Sequence, residues 1–175
     1  NVLRVLGKTR ALLTFLGDAL KSFVPVLIVK FVLCPAVPDL NAELIQLVTG
    51  FAAVMGHDYP VFLKFKGGKG IAATAGLLLS FDLRLTLVAA IVFLAVFFLT
   101  HYVSLGSLLV YVVFVAGIII MGQNGQFTGM SQANIYEMYV LAILLAILAY
   151  YKHWPNILRL IHGNENKTYL KKKKA

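Results

Sequence analysis

The stretch HDYPVFLKFKGGKGIAATAG, His57 to Gly76, decides how the rest of the chain is read. It gathers Lys64, Lys66 and Lys69 around Gly67, Gly68 and Gly70, with hydrophobic sequence running up on both sides. One charged side chain at the centre of a bilayer costs ~3 kcal/mol on insertion scales, so three inside one span would cost about 9 kcal/mol. The lysines must therefore reach water, headgroups or an anion. This places the stretch as a turn at one membrane face, between two helices.

Composition agrees with that placement. The 175 residues are 60% hydrophobic and 13% charged, with a mean hydropathy of +0.85, whereas soluble domains carry roughly 25% charged residues. The chain is expected to be an integral membrane protein. Its formal charge of +9 follows from the orientation rule for membrane insertion, so nucleic acid is not an expected partner. Cys34 is the single cysteine and can form no internal disulfide.

Apolar runs occur near residues 11–33, 44–55, 71–81, 85–99, 103–121 and 136–151, and predict six helices. The shorter runs fall below the ~20 residues that a crossing needs, so they either borrow flanking residues or pack inside the protein. Turns are signalled by CPAVPD at Cys34 to Asp39, THY at Thr100 to Tyr102, and GQNGQFTG at Gly122 to Gly129. The expected fold is an all-α, polytopic membrane helix bundle forming one domain over residues 1–175.

Charge orients the bundle. With the N-terminal segment in the cytoplasm and six alternating helices, thirteen of the sixteen basic residues fall on the cytoplasmic side. The same side collects residues 1–10, 57–70, 100–104 and 152 onward, and with them His57, His101, His153 and His162. Lysines 171–174 read as a topology signal attracted to anionic lipid. Asp18 and Lys21 stand three residues apart and read as an intrahelical ion pair.

Topology needs lysines but not glycines. Successive glycines let backbone N–H groups turn toward an anion, and a helix opening at Gly70 adds its N-terminal dipole. The P-loop spacing is absent. A phosphate site and a plain membrane turn therefore account for GGKG about equally. A second stretch, YKHWPNILRLIHGNE at Tyr151 to Glu165, sets His153, Asn156 and Arg159 at three-residue spacing around a helix start near Pro155. Imidazole, amide and guanidinium suit hydroxyl and phosphate oxygens, although basic residues also mark ordinary cytoplasmic helix ends.

Taken together, these stretches resemble a known family. GHDYPVFLKFKGGKGIAATAG, Gly56 to Gly76, resembles the second signature motif of the bacterial acyl-phosphate:glycerol-3-phosphate acyltransferases (the PlsY family), and HWPNILRLIHGNE resembles the third. The opening NVLR is similar to the tail of the first motif, and YVSLGS, Tyr102 to Ser107, to a further segment. The resemblance covers nearly the whole chain. It implies seven transmembrane helices, so the six seen here are expected to follow an N-terminal helix, and the start of a first motif, that lie outside this sequence.

The resemblance implies transfer of a fatty acyl group from acyl phosphate to the sn-1 hydroxyl of glycerol 3-phosphate, giving lysophosphatidic acid and phosphate. By resemblance and charge, His153, Asn156 and Ser104 are assigned to the reaction. Arg4, Lys69, Gly67, Gly68, Gly70, Lys66 and His57 are assigned to phosphate binding, and Asn1, Arg159, Gly163 and Glu165 to structural support. No metal and no cofactor are expected. Membrane lipids and the soluble enzyme that makes acyl phosphate are the further partners expected, in a bacterial inner membrane with the site on its cytoplasmic face.

The expected mechanism rests on an absence. The His-x-x-x-x-Asp pair of other glycerol-phosphate acyltransferases is missing, because Phe62, Gly106, Leu158 and Lys167 stand five residues beyond the four histidines. Nor does Cys34 or Ser104 have an evident His-Asp couple, so direct attack by the glycerol hydroxyl is expected. The alternative is a transporter of phosphorylated solutes, which would bind near the bilayer midplane between repeats.

Overall fold

The computed structural model describes residues 7–37 and 39–169, and of Lys8 the backbone alone. Asn1, Arg4 and lysines 171–174, all assigned roles above, lie outside the described residues. Within them the chain forms seven α-helices and no strand. They are α1 (Lys8–Ile28), α2 (Ala42–Asp58), α3 (Ile71–Phe81), α4 (Leu83–Thr100), α5 (Val103–Gln123), α6 (Gln132–Lys152) and α7 (Trp154–Ile161). A π-helical turn at Val29–Leu33 and a last turn at Cys34–Ala36 prolong α1.

The helices outrun their apolar cores because polar residues can cap them. Asp82 accepts from the Leu85 amide at 2.9 Å, so α4 starts two residues before the apolar run, and Ser131 caps α6 through Asn134 at 3.2 Å. At the end of α2 the helix takes in His57 and Asp58, which the sequence reading places in the turn.

Four helical stretches are long and apolar enough to cross a membrane: Thr9–Ala36, Leu83–Thr100, Val103–Gln123 and Gln132–Lys152. The chain is a multi-pass membrane protein. α3 is different, because eleven residues span only about 16 Å at 1.5 Å per residue. It packs inside the bundle against α1 and α2, burying Ala73, Thr74, Leu77, Leu78 and Phe81. Contact with α1 is backbone-close, since a Cβ on Gly76 would lie 2.0 Å from the Ala19 carbonyl oxygen. Ser22 donates to the Ala73 carbonyl, and Lys30 Nζ donates to the carbonyls of Ser80 (3.2 Å) and Phe81 (3.3 Å) at the end of α3. A short buried helix thus has its orphan carbonyls satisfied by a neighbour. The core continues through Leu47, Tyr111, Phe114, Ile118, Met138 and Leu145, all at most 1% exposed.

Candidate functional site

Between α2 and α3 the chain doubles back on itself. Gly67 N–H donates to the Asp58 carbonyl at 3.2 Å and Gly68 N–H to the His57 carbonyl at 3.3 Å. A Cβ on Gly67 would stand 2.1 Å from the His57 carbonyl oxygen, so only glycine permits this return. Gly70 begins α3 at φ 75°, in the left-handed region. The first two glycines therefore serve close approach, and their N–H groups are already engaged within the turn.

Behind the turn, Asp18 bonds Lys21 at 2.7 Å, as the three-residue spacing predicts, and lies 3.5 Å from His57 Nδ1. His57 packs beneath Gly68, where a Cβ would meet its Nε2 at 2.1 Å.

The turn, the start of α5, the α6–α7 junction and residues 165–168 together enclose a cavity of about 710 Å³ at one end of the bundle. Gly68 and Lys69 line it from the turn and Ile71 from α3; Val103, Ser104 and Ser107 line it from α5. His153, Asn156 and Arg159 form the facing wall, and Glu165, Asn166 and Thr168 cross over it. The crossing segment is tied down by Thr168 N–H to the His101 carbonyl (2.9 Å) and by Tyr169 against the His101 ring, 4.6 Å between centroids.

A polar relay runs around the wall. Lys69 Nζ donates to Asn156 Oδ1, Asn156 Nδ2 donates to Glu165 Oε1 at 2.9 Å, and Arg159 Nε donates to Glu165 Oε2 at 2.7 Å. These bonds set the amide orientation of Asn156. Lys69 is exposed at the cavity mouth, and partial desolvation of its ammonium, reinforced by repulsion from Arg159, pulls it below the ordinary lysine range. Burial opposes ionisation of Glu165, but the bonds from Asn156 and Arg159 outweigh it and hold the carboxyl below its usual range.

His153 is 3% exposed, and its Nδ1 lies 2.8 Å from the Ala149 carbonyl. A carbonyl only accepts, so Nδ1 carries the proton and Nε2 is the basic nitrogen. Burial depresses its pKa, and the neutral form prevails at pH 7. Ser104 Oγ is buried without a hydrogen-bond partner.

Of the residues assigned from sequence, Ser104, His153, Asn156, Arg159, Glu165, Lys69 and Gly68 converge on this cavity. Lys66, His57, Gly67, Gly70 and Gly163 do not line it. Lys66 is exposed on the far part of the turn, and the others shape the backbone around it. Sequence reasoning missed Ser107, which shares a helical face with Ser104, and missed Asn166 and Thr168, whose place depends on how the chain after α7 folds back. It also missed Asp58, which is 1% exposed and has an unpartnered Oδ1. Among the described residues no three His, Cys, Asp or Glu side chains come together as metal ligands.

An open, wholly apolar groove follows the α5–α6 seam, from Tyr111 and Tyr150 past Val115 and Ala146 to Ile119 and Ile143. On α5 the positions Ser104, Ser107 and Tyr111 step along one face, so the first turns of this helix line the polar cavity and its later turns line the apolar groove.

Residues 1–163 match the family model described as glycerol-3-phosphate acyltransferase. The chain is 39% identical over 167 residues to a glycerol-3-phosphate acyltransferase of Thermoanaerobacter sp. (strain X514), covering 95% of this chain and 75% of that one. Two solved structures of PlsY, an integral membrane glycerol 3-phosphate acyltransferase, are similar to it, each with a TM-score of 0.76. The glycerol 3-phosphate form is 32% identical and covers 96% of this chain and 76% of that one. The lysophosphatidic acid form is 33% identical, with 97% and 78% covered.

Proposed function

The chain belongs to the glycerol-3-phosphate acyltransferase family, and from that premise we propose that it transfers a fatty acyl group from acyl phosphate to the sn-1 hydroxyl of glycerol 3-phosphate. The observation that carries this reading is the pairing of two sites along one helix. A basic, hydrogen-bonding chamber for phosphate and hydroxyl groups lies at the start of α5, and an apolar groove for a tail lies further along the same helix.

Acyl phosphate is a mixed anhydride and already activated, so the protein contributes position and charge. Lys69 and Arg159 offset phosphate charge, while Ser104 Oγ, beside Glu165, offers a donor to the glycerol 3-phosphate or to the developing oxyanion. Asn156, already bonded on both sides, holds Lys69 in place. The glycerol hydroxyl oxygen bonds to the acyl carbon and the acyl carbon–phosphate oxygen bond breaks. The hydroxyl proton passes to a phosphate oxygen or to His153 Nε2, and lysophosphatidic acid and phosphate leave. No acyl-enzyme is formed. The site faces the cytoplasm of a bacterial inner membrane, where glycerol 3-phosphate is found and where the soluble enzyme making acyl phosphate would deliver its product. Transport of phosphorylated solutes fits less well, because the cavity lies at the helix ends and not at the midplane.

The test is to mix detergent-solubilised protein with glycerol 3-phosphate and chemically made acyl phosphate, and to follow phosphate release. Release should require both substrates and be accompanied by lysophosphatidic acid. Turnover with acyl-coenzyme A in place of acyl phosphate, or a covalent acyl-enzyme, would overturn the reading.

A further inference from the structure

We propose that Lys152 is a positioning residue: by binding the end of α2, its ammonium fixes the bend that carries His153 and Asn156 at a set distance from the glycine turn. Its role in turnover rests on the acyl-transfer reading, whereas the contact itself stands without it.

Lys152 is the last residue of α6, and the chain bends immediately after it. His153 leaves the helix at φ −94° and ψ 3°, and α7 restarts at Trp154 with Pro155 in its first turn. The direction of α7, and with it the placing of Asn156 and Arg159 in the cavity wall, depends on how that one junction is held. Its backbone bonds are local. His153 N–H donates to the Ala149 carbonyl at 2.9 Å, and Asn156 N–H donates to the His153 carbonyl at 2.8 Å. Bonds of this kind shape the bend but do not fix it against another helix.

Lys152 supplies that tie. Its Nζ donates to the Asp58 carbonyl at 2.9 Å, across 94 positions of sequence, and stands 4.3 Å from the centroid of the Tyr59 ring. The same carbonyl accepts the Gly67 N–H at 3.2 Å. A carbonyl oxygen has two lone pairs, so this one atom both closes the glycine turn and anchors the end of α6. Asp58 is the last residue of α2, where orphan carbonyls carry negative partial charge and favour a cation. Lys152 stands in the last turn of its own helix as well, so one ammonium serves two helix C-termini. The face of the Tyr59 ring adds a cation–π contact.

The tie has a counterpart running the other way. Lys69 leaves the turn to reach Asn156 on α7, while Lys152 leaves α6 to reach the root of the turn. Two lysines thus span the gap between the turn and the α6–α7 junction in opposite directions. Lys69 lines the cavity and Lys152 does not. Lys152 is half-buried behind the wall, unlike the exposed Lys64 and Lys66. A topology signal needs only to stay in water on its own side. An ammonium turned inward onto a helix end is placed instead to act through its neighbours His153 and Asn156, without touching substrate.

Three variants test this in detergent. Lys152→Met keeps the apolar stem and removes the charge, Lys152→Arg restores a cation able to donate and to stack on the ring, and Tyr59→Leu removes the ring alone. Hydrogen exchange, read without substrates, should quicken about tenfold or more over residues 66–70 and 153–157 in Lys152→Met, and stay unchanged in α4. With glycerol 3-phosphate and acyl phosphate, kcat should fall about 10- to 10²-fold, the scale of a displacement near 1 Å. KM for glycerol 3-phosphate should move less than about threefold. Lys152→Arg should recover most of the rate and the protection. Tyr59→Leu should lose about threefold in kcat by itself and little more when added to Lys152→Met. If Lys152→Met fails to insert, Tyr59→Leu carries the test, since it leaves every charge in place and should quicken exchange in the same two segments. A raised KM at constant kcat would make Lys152 a phosphate contact, and unchanged exchange would leave it a topology signal; either result overturns the proposal. A wild type that releases no phosphate would overturn the acyl-transfer reading, and the exchange result would still decide the tie.

Discussion

Lys64, Lys66 and Lys69 are equivalent as topology signals, but the structure separates them. All three are exposed, but Lys69 donates to Asn156 in the cavity wall, while the other two lie in the outer part of the turn. Removing one well-placed donor to developing charge costs ~2.7 to 4 kcal/mol, or about 10²- to 10³-fold in rate. Lys69→Ala should lose activity on that scale while still inserting. Lys64→Ala and Lys66→Ala should each lose less than about tenfold, a difference under ~1.4 kcal/mol. Phosphate release by membrane-inserted protein measures all three, and equal small losses would reduce the turn to a charged membrane loop. Asp58 gives a pH-dependent case. This last residue of α2 lies outside the four membrane-length helices, and burial raises its pKa to about 7, against the opposing pull of Lys152. A carboxyl whose folded pKa exceeds its unfolded value binds more protons when folded, so its contribution to stability falls as pH rises from about 4 to 7. Asp58→Asn should therefore flatten the decline in thermal stability between pH 5 and 8, an effect on the order of a few kcal/mol at most. Thermal unfolding in detergent at the two pH values checks it, and an unchanged slope would mean that Asp58 is ionised and hydrated in the fold.

At the scale of elements, the short helix α3 holds the site. Its N-terminus receives the glycine turn and its flank lies against the α1 backbone, so its packing sets where Lys69 can reach. Gly76→Ala would drive a methyl to 2.0 Å from the Ala19 carbonyl oxygen, whereas at Gly17, also helical, nothing stands within 4 Å. Overpacking of this kind costs ~1 to 3 kcal/mol, while alanine for glycine in an open helix position gains up to about 1 kcal/mol. Gly76→Ala should lower the melting temperature in detergent and Gly17→Ala should leave it equal or higher, and the reverse order would contradict the α1–α3 contact. Helix existence was legible in the sequence at this scale, because apolar runs are local. The helix ends were less so: Asp82 and Ser131 extend α4 and α6 by capping, which a count of apolar residues does not register. The π turn after Ile28 had no sequence signal beyond Pro25 nearby.

Over the whole molecule, the polar cavity gathers at one end of the bundle with Lys64, Lys66, Lys69, Lys152, Arg159 and Lys167 on the segments around it. If that end is cytoplasmic, a thiol introduced as Asn124→Cys in a Cys34→Ser background should react with a membrane-impermeant reagent on intact cells. Lys64→Cys should react only after permeabilisation. The opposite labelling would invert the proposed orientation. Membrane class and helix positions follow from the sequence alone, since transfer of apolar side chains into lipid depends on composition and run length and needs no knowledge of neighbours. The motifs likewise marked which short stretches carry the polar chemistry. Only the tertiary structure decided how they meet. Lys69 bonds Asn156 across 87 positions, Glu165 links Asn156 to Arg159, and Lys66, three residues from Lys69, stays outside. Periodicity tells which face of a helix a side chain occupies, but the partner on that face is set by how distant helices pack. In a low-dielectric interior that packing also determines which buried polar atoms, such as Ser104 Oγ and Asp58 Oδ1, are left without one.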